Sequence, residues 1–188
     1  MLNTRHRATV LLVTGLSVSA SASATDIQRI EATHDDDRYK LTFEVVLSAA
    51  RDKVWNIMTD YDQLPRVSKV IVESRILKQD DENRHRVGVT LRACVLIFCK
   101  TMKNVVDILA RPKDDIVVTG VPALSDFRYS VEHWQVSAEG ANTRLHYTAE
   151  MVPDFFVPPL IGPWMVKYFL KREITATAIQ VEALAGHE

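Results

Sequence analysis

The sequence predicts an α+β fold, one antiparallel sheet with helices gathered on one side of it. Three observations carry this. Tyr39, Leu41, Phe43, Val45 and Leu47 alternate with Lys40, Thr42 and Glu44, which is the period of a half-buried strand. Further β-rich pieces follow between residues 70 and 151, separated by short polar turns. From Trp164 to Leu184 the chain has neither Pro nor Gly, so it closes in one long helix.

The first 24 residues are expected to be a targeting segment. Arg5, His6 and Arg7 make a basic start, Ala8 to Val18 an apolar run, and Ala22-Ser23-Ala24 a small-residue cleavage site. The run is shorter than the roughly 20 residues that span a bilayer. No Cys follows it to take a lipid. Cleavage after Ala24 into a bacterial periplasm is the expectation, leaving 164 of 188 residues as one domain, 25–188.

In order, Ile27 to Thr33 forms a short strand and His34 to Asp37 a turn before the alternating strand. Ser48 is placed to cap a short helix carrying Val54, Trp55, Ile57 and Met58. A second helical turn runs from Asp62 until Pro65, followed by a strand over Val70 to Leu77 and a polar turn over Gln79 to Asn83. Val87, Val89 and Leu91 share one strand face, as do Met102, Val106 and Ile108 on the next strand. Lys113 to Asp115 turns into a strand over Ile116 to Thr119. Phe127, Tyr129 and Val131 then lead to a turn at Gly140, and Leu145, Tyr147, Ala149 and Met151 return.

The last helix starts at Pro163, where a missing N–H costs little, and Gly186 offers a stop. Met165, Val166, Phe169, Leu170, Ile174, Val181 and Leu184 cover one wide arc, with Lys167, Lys171 and Glu182 opposite. Glu173 and Gln180 fall inside the apolar arc. Either they reach a wet edge, or the helix lids a cavity and they face its contents.

Val54-Trp55 through Asp60-Tyr61-Asp62 to Leu64-Pro65, followed by Val70 to Leu77, resembles the opening of START-like lipid-binding domains. The branch it is similar to holds the polyketide cyclase/dehydrase and coenzyme Q-binding proteins. The likeness runs from about Tyr39 to Ala185. It implies a helix-grip fold: a curved antiparallel sheet of about seven strands wrapped round the C-terminal helix, two short helices after the first long strand, and an apolar tunnel. On that implication Leu91, Met102, Val106, Tyr129, Tyr147 and Met151 line the sheet side of the tunnel, with Trp55, Met165 and Phe169 opposite. His133 and Glu173 are the polar groups expected at a ligand head group.

Cys94 and Cys99 are the only cysteines. On one straight strand they would lie about 16 Å apart, beyond the roughly 7 Å that a bridge spans. Pairing Cys94 with Cys99 across a hairpin also sets Leu91 against Met102, Val89 against Asn104 and Val87 against Val106. The register that joins the cysteines thus aligns two apolar rows, and an oxidising compartment favours the bond. The hairpin tip is then Val95-Leu96-Ile97-Phe98, four apolar residues where tips are normally polar. They pack on the domain or a second subunit, or, at the tunnel mouth, they touch a membrane transiently or a donor protein.

Pairing Tyr129, Val131 and His133 with Met151, Ala149 and Tyr147 turns His133 inward and His146 outward, so the two share no metal. His133 beside Tyr147 is either a satisfied core pair or a ligand anchor. Arg66, Lys69 and Arg75 are expected on a solvated surface.

Removing Arg5 and Arg7 takes Lys+Arg from 23 to 21 against 24 Asp+Glu, a net charge of about −3 with no basic block. Nucleic acid is thereby a poor partner. No phosphate loop, nucleophile triad or metal-ligand spacing stands out, so neither cofactor nor metal is expected. The expectation is a periplasmic protein that binds or carries a hydrophobic small molecule, lipid- or isoprenoid-like. The alternatives are a cyclase/dehydrase-type enzyme using His133, Tyr147 or Glu173, and an interaction module whose tunnel has closed to a packed core.

Overall fold

A computed structural model describes residues 25–95, 98–160 and 162–187; the targeting segment and the centre of the Val95–Phe98 tip lie outside them. Among the described residues eight strands form one antiparallel sheet. They are β1 (Asp26–Asp35), β2 (Arg38–Leu47), β3 (Ile71–Asp81), β4 (Arg84–Val95), β5 (Phe98–Arg111), β6 (Asp115–Gly120), β7 (Phe127–Glu139) and β8 (Asn142–Pro153). Two helices accompany them, α1 (Arg51–Thr59) and α2 (Gly162–His187), with a 3-10 turn at Leu64–Arg66. The fold class is the expected one: a curved antiparallel sheet against a long C-terminal helix.

Sheet order is β1-β2-β8-β7-β6-β5-β4-β3. Strands β3 to β8 are a plain meander, each paired with its sequence neighbour. Strand β2 joins the far end of that meander at β8, so α1 and the 3-10 turn carry the chain across one sheet face from β2 to β3. Helix α2 lies over the same face.

The alternation in β2 does what its period requires: Tyr39, Leu41, Phe43, Val45 and Leu47 are all buried. Opposite them on β8 stand Leu145, Tyr147 and Ala149. Val54, Trp55 and Ile57 of α1 close over this face. From α2 come Ile174, Ala178, Val181 and Ala185, spaced as one stripe of a helix. Each fully buried large side chain here contributes about 1.5–3 kcal/mol. The Thr143 hydroxyl donates to the Ala49 carbonyl at 2.7 Å within this core, fixing β8 to the β2–α1 link.

Several boundaries differ from the sequence reading. The described sheet has eight strands where the resemblance implies about seven, and β1 runs longer than expected, over ten residues at the sheet edge. Helix α1 opens after Ala50, in extended backbone without a side-chain cap. The Ser48 amide donates instead to Glu182 Oε1 of α2 at 2.8 Å. Pro65 lies inside the 3-10 turn, where its fixed φ is tolerated, so only one of the two expected short helices is an α-helix. Strand β3 continues through Gln79 to Asp81. Gly186 lies within the last turn of α2 rather than beyond it.

The β4–β5 register matches the expected one pair for pair: Val87 with Val106, Val89 with Asn104, Leu91 with Met102 and Cys94 with Cys99. Cys94 and Cys99 are joined by a disulfide. The β7–β8 register does not match. Phe127 faces Pro153, but Tyr129 faces Val152, so Arg128 is an extra residue bulged out of β7. A bulge reverses the facing of everything beyond it. Ser130, Glu132, Trp134 and Val136 therefore point inward, and Tyr129 and His133 outward.

Candidate functional site

Between the sheet and α2 lies a cavity of about 190 Å³. Its floor is the inner face of the meander: Val87, Val89 and Leu91 of β4, Asn104, Val106 and Ile108 of β5, Ile116 and Val118 of β6, Glu132 and Trp134 of β7. Ile174, Thr177, Ala178 and Val181 of α2 form the roof. Met58, Tyr61, Leu64, Val67, Ser68 and Ile71 wall one side, on the segment that carries the chain from α1 to β3. The walls are mostly apolar, since sheet residues facing inward had to be so to bury the face at all.

Of the expected site residues, Leu91 and Val106 meet the cavity. Met102, Tyr147 and Trp55 are buried beside it without lining it, and Met151 packs half-buried against the core. Met165, Phe169 and Glu173 lie on the N-terminal half of α2, away from the cavity, whose roof begins at Ile174. Glu173 is ion-paired with Arg172 at 2.6 Å, and Arg172 also reaches the Cys94 carbonyl at 3.4 Å. Tyr129 is outside and 39% exposed, beneath the Arg38 guanidinium at 4.8 Å from its ring centre. His133 is also outside, bonded to the buried Asp115. The cause in both cases is the bulge at Arg128.

The sequence reading missed the cavity's polar groups. Glu132 Oε2 accepts the Tyr147 hydroxyl at 3.0 Å. Burial pushes the Glu132 carboxyl above its usual pKa, while hydrogen bonds from Tyr147 and the Trp134 indole pull part of the way back. Burial, with Glu132 alongside, drives the Tyr147 hydroxyl well above its usual value. Trp134 and Tyr147 pack as tilted rings with centres 3.9 Å apart. Asn104 Oδ1 and the Tyr61 hydroxyl are enclosed with no hydrogen-bond partner, and burial pushes Tyr61 up to about 12.

Among the described residues lining the cavity there is no Lys, Arg or His, and Glu132 is the one carboxylic acid. No group of three or more His, Cys, Asp or Glu converges as metal ligands would among the described residues. One signal could have exposed Glu132. Asn142 pairs with Glu139, leaving a two-residue turn whose first member is Gly140 at φ 63°, a place where hairpins take glycine. Counting back from that turn, rather than forward from Phe127, turns the even residues of β7 inward.

A second feature is on the surface. Phe156 is 82% exposed, Leu160 95%, Trp164 64% and Tyr168 49%. Trp164 and Tyr168 stack 5.8 Å apart on one face of α2. No carboxylate occurs from Gly162 to Arg172, a stretch that carries Lys167, Lys171 and Arg172. The bond from Arg172 to the Cys94 carbonyl sets this face beside the end of β4, next to the hairpin tip. Among the described residues no helix is long and apolar enough to cross a membrane.

A family model described as polyketide cyclase/dehydrase and lipid transport matches residues 38–186. A search of curated proteins returned no match. Among solved structures, the chain is similar to a Zhui aromatase/cyclase from a Streptomyces species, with a TM-score of 0.68 and 14% identity over 80% of this chain and 94% of that one. It is similar to a START superfamily protein from Mycobacterium smegmatis, with a TM-score of 0.64 and 16% identity over 79% and 97%. A STAR-related lipid transfer protein from Xanthomonas axonopodis aligns with a TM-score of 0.56 and 14% identity over 84% and 97%. At such identities these likenesses speak for the fold.

Proposed function

Because the chain belongs to the polyketide cyclase/dehydrase and lipid transport family, we propose that it binds and carries a hydrophobic small molecule, isoprenoid- or lipid-like, in the periplasm. The observation that carries this reading is the cavity of about 190 Å³ between the meander and α2, apolar but for a few polar groups. Such a site buries an apolar ligand and orients it by a small number of hydrogen bonds. Export follows from the basic start, the apolar run and cleavage after Ala24.

Delivery needs a surface on which the ligand leaves. The exposed Phe156, Leu160, Trp164 and Tyr168 beside Lys167 and Lys171 have the composition of a bilayer-surface contact, aromatic rings at headgroup depth and cations for anionic lipid.

A cyclase- or dehydrase-type reaction is the second reading, and Glu132 is the observation that favours it: one acid inside an apolar cavity with its pKa raised. Beyond that acid the described lining offers only the uncharged Tyr61, Ser68, Asn104 and Thr177, with no Lys, Arg or His, so the carrier reading stands first. Mass spectrometry of organic extracts from protein purified out of its native periplasm tests it. A co-purifying hydrophobic compound, released unchanged, supports carriage. Its conversion to a product on incubation supports the enzyme, and an empty protein that takes up no apolar probe overturns both.

A further inference from the structure

Resting on the binding reading above, we infer that the cavity selects uncharged molecules, or uncharged ends of longer ones, of about one ring's size that carry a hydroxyl or carbonyl oxygen, and rejects carboxylates. Size comes first. The cavity's 190 Å³ is slightly larger than the roughly 150 Å³ that takes up benzene in another protein, and below the roughly 300 Å³ at which drug-sized sites begin. A ring with a short alkyl substituent fills it. Of a longer lipid- or isoprenoid-like ligand it houses one ring-sized end.

Charge comes next. A carboxylate entering this space gives up its hydration and finds no Lys, Arg or His among the described lining residues. The one acid it meets, Glu132, is of its own sign when ionised. Desolvation without a counter-charge is among the largest penalties that a protein interior imposes. An ammonium fares little better: it gives up a full hydration shell for one carboxyl that it shares with the Tyr147 hydroxyl, an exchange that seldom repays burying an ion.

Uncharged oxygen functions are what the lining lacks. Asn104 is 8% exposed and Tyr61 4% exposed, both line the cavity, and Asn104 Oδ1 and the Tyr61 hydroxyl have no partner. A buried polar atom left unpaired costs free energy that a ligand returns by pairing it. A ligand hydroxyl can donate to Asn104 Oδ1. A ligand carbonyl or ether oxygen can accept from Tyr61. A bare hydrocarbon fills the same volume and satisfies neither.

The test uses four probes of one shape at pH 7: 4-propylphenol, propylbenzene, 4-propylbenzoate and 4-propylbenzylamine, titrated into the purified protein by calorimetry. The phenol is expected to bind at least ~3-fold tighter than propylbenzene, one modest hydrogen bond, and at least ~10-fold tighter than either ion. Glu132→Gln should leave the phenol ahead of the benzoate, because no Lys, Arg or His lines the described cavity in either protein. Benzoate binding as tightly as the phenol, or the benzylamine binding tightest, overturns the inference and leaves the carrier reading standing. Benzoate overtaking the phenol in Glu132→Gln would also overturn the inference. Failure of all four, propylbenzene included, overturns the carrier reading and this inference with it.

Discussion

Glu132 is half-buried, and its carboxyl, turned into the cavity, has lost part of its hydration, which the Tyr147 hydroxyl and Trp134 indole replace only in part. Its pKa in the folded protein is raised above the ordinary 4.5. Below that pH the group is protonated in both folded and unfolded chains and has no effect on stability through its charge. As pH rises past 4.5 the unfolded chain releases its proton first, so it binds fewer protons than the folded chain and stability falls until the folded value is passed. Glu132→Gln removes this penalty and keeps an acceptor for Tyr147. Denaturant melts at pH 4 and pH 8 should show the variant gaining on the parent as pH rises. A gap independent of pH would mean that Glu132 is not so enclosed. Counting forward from Phe127 hid Glu132, because the bulged Arg128 shifts its side of the sheet; only the count back from the Gly140 turn places it inward. No hydropathy pattern marks a bulge.

Among the elements, the β4–β5 hairpin was legible to the residue, because two independent constraints, the cysteine pair and the apolar rows, agreed on one register. The Cys94–Cys99 bond closes a short loop, and such bonds stabilise by about 2 kcal/mol or less. Thiol labelling of denatured, unreduced protein should find no free sulfhydryl, and the double Cys→Ala protein should fold with a loss within that figure. Helix α2 was legible in extent but not in use. Its apolar arc gave a direction without saying what stands opposite, so Met165 and Phe169 were assigned to a cavity that begins only at Ile174. Its first turns instead present Trp164 and Tyr168 to solvent. The variant Trp164→Ala with Tyr168→Ala should lose most binding to phosphatidylglycerol vesicles in co-sedimentation, while its stability changes by no more than about 0.5 kcal/mol per site. Undiminished vesicle binding would rule out the proposed bilayer contact.

At the scale of the molecule, the order of elements alone pointed to the fold class: strand, helix, meander, long helix. Cavity volume was beyond that reading, since it depends on how far the side chains of two faces fail to meet. Ala178 stands on the roof with its small side chain toward the gap. In a filled core, Ala178→Leu would overpack, with a loss of about 1–3 kcal/mol. Here the added carbons should enter the cavity, so the variant should keep its stability within about 1 kcal/mol and lose most of its 4-propylphenol binding. Large destabilisation with binding intact would place the side chain elsewhere.

The sheet's order in space also sets an order in time. Every pairing from β3 to β8 closes a hairpin between neighbours, whereas β2 meets β8 by joining residues 39 and 151, a far longer closure and a slower one. Our hypothesis is that the meander forms first, as a half-folded trough, and that β1, β2 and α2 arrive last. Pulse-labelled hydrogen exchange during refolding should then protect β4 and β5 amides before those of β2; simultaneous protection would refute the sequence of events. On this ordering the trough's apolar floor stands open to solvent until the final step. That interval, rather than the finished protein, is when the chain is most exposed to aggregation.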